Sequence, residues 1–195
     1  MGSAEEKISY AIRVPPQNIE AEVSTLGALL LDGSAIYKVI DVLKTEDFYR
    51  TQHQAIFATI VELFERREPV DVLSVMSRLR EKNALETAGG ASFLTSLVNS
   101  VPTSSNVGHY AELVRKKRVL RNLIQVSNEL TELGYRENED TDVLLDEAEK
   151  KVFSLAQRSL HQKFTPLDQS LREAFERYDN LHKNKDELSG VPTGF

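Results

Sequence analysis

A chain of 195 residues holds one or two domains, and 41% hydrophobic with 28% charged residues suits a packed core beneath a solvated surface. The absence of cysteine excludes disulfides, thiolate chemistry and cysteine zinc sites, and is compatible with the cytosol. A net charge of -6 argues against a domain that grips nucleic acid by itself, because phosphate neutralisation by basic groups supplies most of such affinity.

The longest apolar run, Leu26 to Leu31, is far shorter than the roughly 20 residues a membrane span needs. Met1 to Arg13 has no apolar h-region of a secretory signal, and Glu6 spoils the myristoylation pattern after Gly2. Helical periodicity then dominates. Val14-Pro15-Pro16 is an extended lead-in. Asn18 caps a predicted helix to about Leu31, with Glu20 and Glu22 favourably placed in its first turns. After the Asp32-Gly33 turn, Ala35 to Leu43 reads as a second short helix. A third runs from Thr51 to about Arg66 with Ile56, Ile60, Leu63 and Phe64 on one face, and Pro69 follows its end. Asp71 caps a fourth to about Lys82, with Val72, Val75, Met76 and Leu79 inward. Gly89-Gly90 is a turn, and a short helix covers Ala91 to Asn99 before the Pro102-Thr103-Ser104-Ser105 loop.

The texture then changes. Val107 to Tyr135 and Thr141 to about Ser159 are two long helices joined by a polar turn, an antiparallel hairpin. His161 to Phe164 is a polar link. Thr165-Pro166-Leu167-Asp168 opens a further helix to about Lys183, with a Thr cap, proline at the first position and an early carboxylate. Gly190 to Phe195 is turn-rich. The predicted fold is all-α: a tail over 1–13, a compact helical subdomain over 14–103, a hairpin over 104–160, and a linker over 161–195 with a detached amphipathic helix at 166–183.

No site chemistry is visible. No glycine precedes lysine, so a phosphate-cradling loop is absent from the sequence. His53, His109, His161 and His182 are scattered without metal-ligand spacing and read as ordinary surface or partly buried residues. A Gly-x-Ser-x-Gly elbow is also missing. Acidic neighbours such as Asp146, Glu147 and Glu149 read as a solvated helix face. The chain reads as non-catalytic, with no catalytic, cofactor-binding or metal residues.

Partner surfaces are more telling. Val119, Leu120, Leu123, Ile124, Val126, Leu130 and Leu133 spread over about half of the first arm, wider than the roughly 100° stripe of a helix buried on one side. Leu144, Leu145, Ala148, Val152, Phe153, Leu155 and Ala156 do the same on the second. Either this surplus packs within the chain or it meets another copy or protein. Val119, Leu123, Val126, Leu130, Leu144, Val152 and Phe153 are the residues expected in self-association. Arg115, Lys116, Lys117, Arg118 and Arg121, joined by Lys150, Lys151 and Arg158, make the hairpin base basic. Glu129, Glu132, Glu137, Glu139, Asp140 and Asp142 make its tip acidic, a pattern favouring tip-to-base neighbours. The basic run reads as a solvated face rather than a DNA site, because no aromatics interleave it. Leu167, Leu171, Ala174, Tyr178 and Leu181, with Phe175 at the margin, form a stripe suited to docking in a groove, or to folding back on the hairpin.

An ordered set of motifs resembles the front of DnaB-type replicative helicases. It comprises Val14-Pro15-Pro16-Gln17-Asn18-Ile19-Glu20-Ala21-Glu22, Leu26-Gly27-Ala28, Asp47-Phe48-Tyr49 with His53-Gln54 and Ile56-Phe57, and Glu68-Pro69-Val70-Asp71. Gly89-Gly90-Ala91-Ser92-Phe93-Leu94, Val101-Pro102-Thr103, Asn106, Tyr110-Ala111, Leu144-Leu145-Asp146-Glu147-Ala148-Glu149 and Gly190-Val191-Pro192-Thr193-Gly194-Phe195 continue it, covering nearly the whole chain after residue 13. Arg67 departs from the pattern, standing where the family is expected to carry glycine.

The resemblance implies the N-terminal assembly and primase-interaction domain of a hexameric, ATP-driven helicase of the bacterial cytoplasm that unwinds fork DNA 5′ to 3′. It implies a trimer-of-dimers collar paired through hairpins, a primase seated on that collar, and a linker helix packed on a neighbouring motor domain. Phe93, Ile124 and Leu130, apolar positions near where the hairpin meets the globular part, are the contacts expected for that primase. A helicase loader is a further implied partner. ATP, magnesium and the DNA contacts would belong to a motor domain following Phe195. Two rivals stay open: a free-standing helical adaptor or regulator of the replisome, and a DNA-binding helical protein, which the acidic balance disfavours.

Overall fold

The computed structural model describes residues 14–159 and, beyond them, Leu171, Arg172, Phe175, Glu176 and Asp179. All regular structure among these residues is helical. Two compact units divide after Leu155.

Helix α1, Ile19–Leu31, opens where Asn18 Oδ1 accepts the Ala21 amide at 3.0 Å, satisfying one of the free donors of the first turn. It is apolar nearly all round and lies at the centre of the first unit, with Leu26, Ala28 and Leu29 fully buried. The second predicted helix is instead a 3-10 helix, Gly33–Lys38, running into turns. Asp32 Oδ1 accepts the Ser34 amide and starts this tighter spiral, which aims Ala35, Ile36, Val39 and Leu43 at the core. A second 3-10 turn, Thr45–Asp47, was not predicted; the Asp47 carboxylate accepts the Lys44 amide and closes it.

Helix α2, Thr51–Glu65, buries Ile56, Ile60 and Leu63, with Phe64 partly covered. Its end is a Schellman turn: the Glu68 amide donates to Leu63 O and the Arg67 amide to Phe64 O. Helix α3, Val72–Glu81, is capped by Asp71 Oδ1 on the Ser74 amide and ends in the same motif, with Asn83 at the turning position. Val75 and Leu79 are buried and Val72 and Met76 partly so, as the spacing predicts. Glu62 of α2 binds Arg78 of α3 and Lys82 just after it, fastening the two helices together.

Helix α4, Gly90–Asn99, starts after Gly89, whose φ of 94° is left-handed backbone that glycine adopts readily. Helix α5, Val107–Gly134, belongs to the core in its first turns, where Val107, Ala111 and Val114 are buried against α1. Ser104 Oγ, just before it, donates to Asp32 Oδ2 at 2.9 Å and pins the α5 entry to the end of α1. The hydrogen bonds from Ser34 and Ser104 hold the Asp32 carboxyl below its ordinary pKa.

Helix α6, Thr141–Ser159, returns antiparallel to α5. Lys151 donates to Glu129 Oε2 at 2.9 Å and lies 3.6 Å from Glu147, while Arg136 reaches Glu147 at 3.6 Å. Between these pairs the apolar seam is thin: Leu133 is buried, and Leu130, Leu144, Ala148 and Leu155 are partly buried. In the second unit, Leu171, Arg172, Phe175, Glu176 and Asp179 are helical and exposed.

Candidate functional site

Three core-facing stripes each carry one titratable residue. On α1, Glu22 shares a face with Thr25, Leu26 and Leu29; on α2, His53 shares one with Ile56, Phe57 and Ile60. On α5, Arg121 continues the face of Ala111 and Val114. Glu22 is 1% and His53 0% exposed. Such burial is tolerated only with hydrogen-bonding partners, and the three residues supply a joint set.

The Glu22 carboxylate accepts the Tyr49 amide at Oε1, 2.7 Å, and meets His53 Nδ1 at Oε2, 2.6 Å. The second ring nitrogen, His53 Nε2, is buried without a hydrogen-bond partner among the described residues. The His53 ring stacks on Phe93 of α4, with planes 2° apart and centroids 5.8 Å apart. Arg121 donates from Nη1 to Pro16 O at 2.9 Å and from Nη2 to Asp47 O, and its guanidinium lies 5.6 Å from the Tyr49 ring centroid. Gln54 Nε2 donates to Phe48 O at 2.8 Å and fixes the same loop from α2. Burial lowers the Arg121 pKa and raises that of the Asp47 carboxyl, the latter against the Lys44 amide and the Arg118 and Arg115 charges, which pull it down. The residues of the Pro16, Glu22 and Asp47-Phe48-Tyr49…His53-Gln54 motifs thus form one joint that seats α5 on the subdomain.

Two readings of the sequence are corrected here. His53 is neither a surface nor a partly buried histidine but a fully buried one, because Glu22 and Phe93 occupy both its edge and its face. Arg121 is not part of a solvated basic face, since two backbone carbonyls and the Tyr49 ring take its guanidinium. Its spacing of seven from Val114 and ten from Ala111 was the available signal. Lys151 is likewise engaged across the hairpin, and hydrogen bonding to Glu129 raises its pKa while lowering that of Glu129.

The apolar positions expected to meet partners divide by arm. On α5, Leu123 and Ile124 are about half exposed and Val119, Val126 and Leu130 partly buried; on α6, Val152 and Phe153 are exposed, Phe153 at 60%, and Leu144 is partly buried. Phe93 is partly buried at the α4 surface. Of the linker stripe, Leu171 is exposed, whereas Leu167, Ala174, Tyr178 and Leu181 lie outside the described residues. Among the described residues no cluster of histidine or carboxylate side chains could hold a metal ion, and no helix is long and apolar enough to cross a membrane.

A family model described as the DnaB-like helicase N terminal domain matches residues 14–116, more than half of the chain. The replicative DNA helicase DnaB of Geobacillus stearothermophilus is 40% identical over 186 residues, which cover 95% of this chain and 41% of that protein. The chain thus spans about two-fifths of that relative's length. The crystal structure of the N-terminal domain of DnaB helicase from Mycobacterium tuberculosis is 35% identical, with a TM-score of 0.69, covering 73% of this chain and 99% of that one. A solved DnaB-like replicative helicase, described with its interactions with primase, shares the fold at 23% identity and a TM-score of 0.66, over 91% of this chain and 38% of that one. On the family match, and on a helical fold shared over nearly the whole of the mycobacterial domain, the chain belongs to the DnaB-like helicase N-terminal domain family.

Proposed function

We propose that this chain is the assembly and primase-interaction region of a hexameric replicative DNA helicase that unwinds DNA 5′ to 3′ in the bacterial cytoplasm. The carrying observation is the pair of unburied apolar faces on the hairpin, Leu123 and Ile124 on α5 with Val152 and Phe153 on α6. Four large side chains left to water in a family whose relatives are replicative helicases are what a subunit contact would cover. Each is about half exposed, so covering it contributes roughly 1 kcal/mol, about half of what full burial of such a side chain gives. Pairs of hairpins would build a trimer-of-dimers collar, with Phe93, Ile124 and Leu130 facing primase. A helicase loader would be a further partner of the assembled ring. ATP and magnesium would act in a motor domain carried by the remaining length of the relatives.

The test is sedimentation of the chain across concentration. Dimers or larger species are expected, weakened by Leu123→Asp with Phe153→Asp; a strict monomer at high concentration overturns the reading. Binding of a primase helicase-binding domain should fall with Ile124→Asp while the fold is kept. The linker helix is proposed to dock through Leu167, Leu171, Ala174, Tyr178 and Leu181 on a neighbouring motor domain. Leu171→Asp with Tyr178→Asp in the full-length helicase should abolish the ring and unwinding, and intact hexamers would refute this.

A further inference from the structure

From α5 to α4 runs an unbroken series of contacts: Arg121 over the Tyr49 ring, the Tyr49 amide on Glu22 Oε1, Glu22 Oε2 on His53 Nδ1, and the His53 ring on Phe93. Glu22 and His53 are sealed from water, so solvent cannot substitute for a lost partner there. The His53 ring has one hydrogen bond among the described residues, at Nδ1, and none at Nε2. Glu22 therefore sets the plane of that ring. Phe93 lies parallel to it, and Gly89 backs Phe93 so tightly that a Cβ there would meet the ring at 2.9 Å. Phe93 has little room to reorient on its own. At the far end, Arg121 is fixed by the carbonyls of Pro16 and Asp47, which flank the joint.

We infer that Glu22 and His53 are positioning residues that couple the seating of helix α5 to the orientation of Phe93 on the α4 surface. When Arg121 loses its seat, Tyr49 shifts, Glu22 follows its amide partner, and the His53 ring carries Phe93 with it. The coupling is reciprocal, because a free energy shared by two sites acts equally in both directions. Resting on the proposed function, a primase that grips Phe93 would be felt at the hairpin base before it touches α6.

The experiment places para-fluorophenylalanine at position 93 of the 195-residue chain and follows its fluorine resonance without any partner, so primase binding and this coupling succeed or fail separately. Arg121→Gln is expected to move the resonance by more than its linewidth, and the exposed Lys116→Gln on the same helix to leave it in place. In a His53→Leu background the Arg121→Gln displacement should fall to less than a third. Should His53→Leu fail to fold, Tyr49→Leu removes the ring under the guanidinium and is expected to cut the displacement equally. A resonance unmoved by Arg121→Gln, or moved as far in the interrupted backgrounds, overturns the inference.

Discussion

Gly27 of α1 lies against the backbone of α4 so closely that a Cβ built on it would stand 2.2 Å from the Leu97 carbonyl oxygen and 2.8 Å from Val101 Cγ2. The nearer obstacle is main chain and cannot swing away. Gly27→Ala is therefore expected to push the helices apart and destabilise the chain by about 1 to 3 kcal/mol, the usual range for overpacking. A lowered urea midpoint at unchanged slope would show it. Trimming Val101 to alanine should not rescue the variant, since the Leu97 oxygen remains.

Arg67 holds φ at 59° in the Schellman turn after α2, a conformation that side chains with a Cβ disfavour. Arg67→Gly should raise stability by about 1 kcal/mol, or about 3 °C in Tm for a chain of this size. Asn83, at 53° in the equivalent turn after α3, is a residue that tolerates this region, so Asn83→Gly should gain less. Calorimetry of the two variants side by side decides it. Equal gains would mean that the left-handed strain at Arg67 has been misjudged.

Much of this was legible in the sequence, and the division follows the range of the forces involved. The Asn18 and Asp71 caps and the core stripes of α2 and α3 depend on neighbours three or four positions away, and the structure has them as read. The helix predicted over Ala35 to Leu43 carries no signal of its 3-10 form, because the apolar Ala35, Ile36, Val39, Ile40, Val42 and Leu43 satisfy either spiral. Glu22 and His53 are 31 positions apart. Both stand in motifs that carry the family resemblance, yet nothing local says that the two side chains meet. Likewise, five basic residues within seven positions masked the one, Arg121, whose spacing places it on the core side.

Glu62 is the acid-sensitive link between α2 and α3. Hydrogen bonds from Arg78 and Lys82 hold its carboxyl at about 2 against an ordinary value of 4.5. A depressed folded-state pKa means stability that is complete above pH 4.5 and is lost as pH falls toward 2. Thermal unfolding followed over that interval should show a shallower decline for Glu62→Gln than for the parent chain. Parallel curves would locate the acid sensitivity elsewhere.

Glu22→Ala should be among the most damaging single substitutions, because it strands the Tyr49 amide and His53 Nδ1 in a dry site. Each buried donor left without its acceptor costs about 1 to 3 kcal/mol. Glu22→Gln keeps an acceptor for one of the two donors and should lose less. Denaturant unfolding of the two variants tests the order, and an alanine variant as stable as the glutamine one would contradict it.

Helix α5 carries glycine only at its two ends, Gly108 and Gly134, and no proline between, so its 28 residues form one continuous rod. Its first turns are clamped in the core and Arg121 is the last residue gripped by the subdomain's backbone. The stretch from there to Gly134 is about 20 Å at 1.5 Å per residue, so a tilt of about 5° at the clamp sweeps the hairpin tip through about 2 Å. The joint is thus the fulcrum of a mechanical lever: sub-ångström adjustments around Arg121 arrive at the tip enlarged, with no helix having to unfold. A proline introduced at the exposed Ser127, whose ring would clash with the Leu123 carbonyl one turn back and so past the fulcrum, would break that transmission while leaving the core intact.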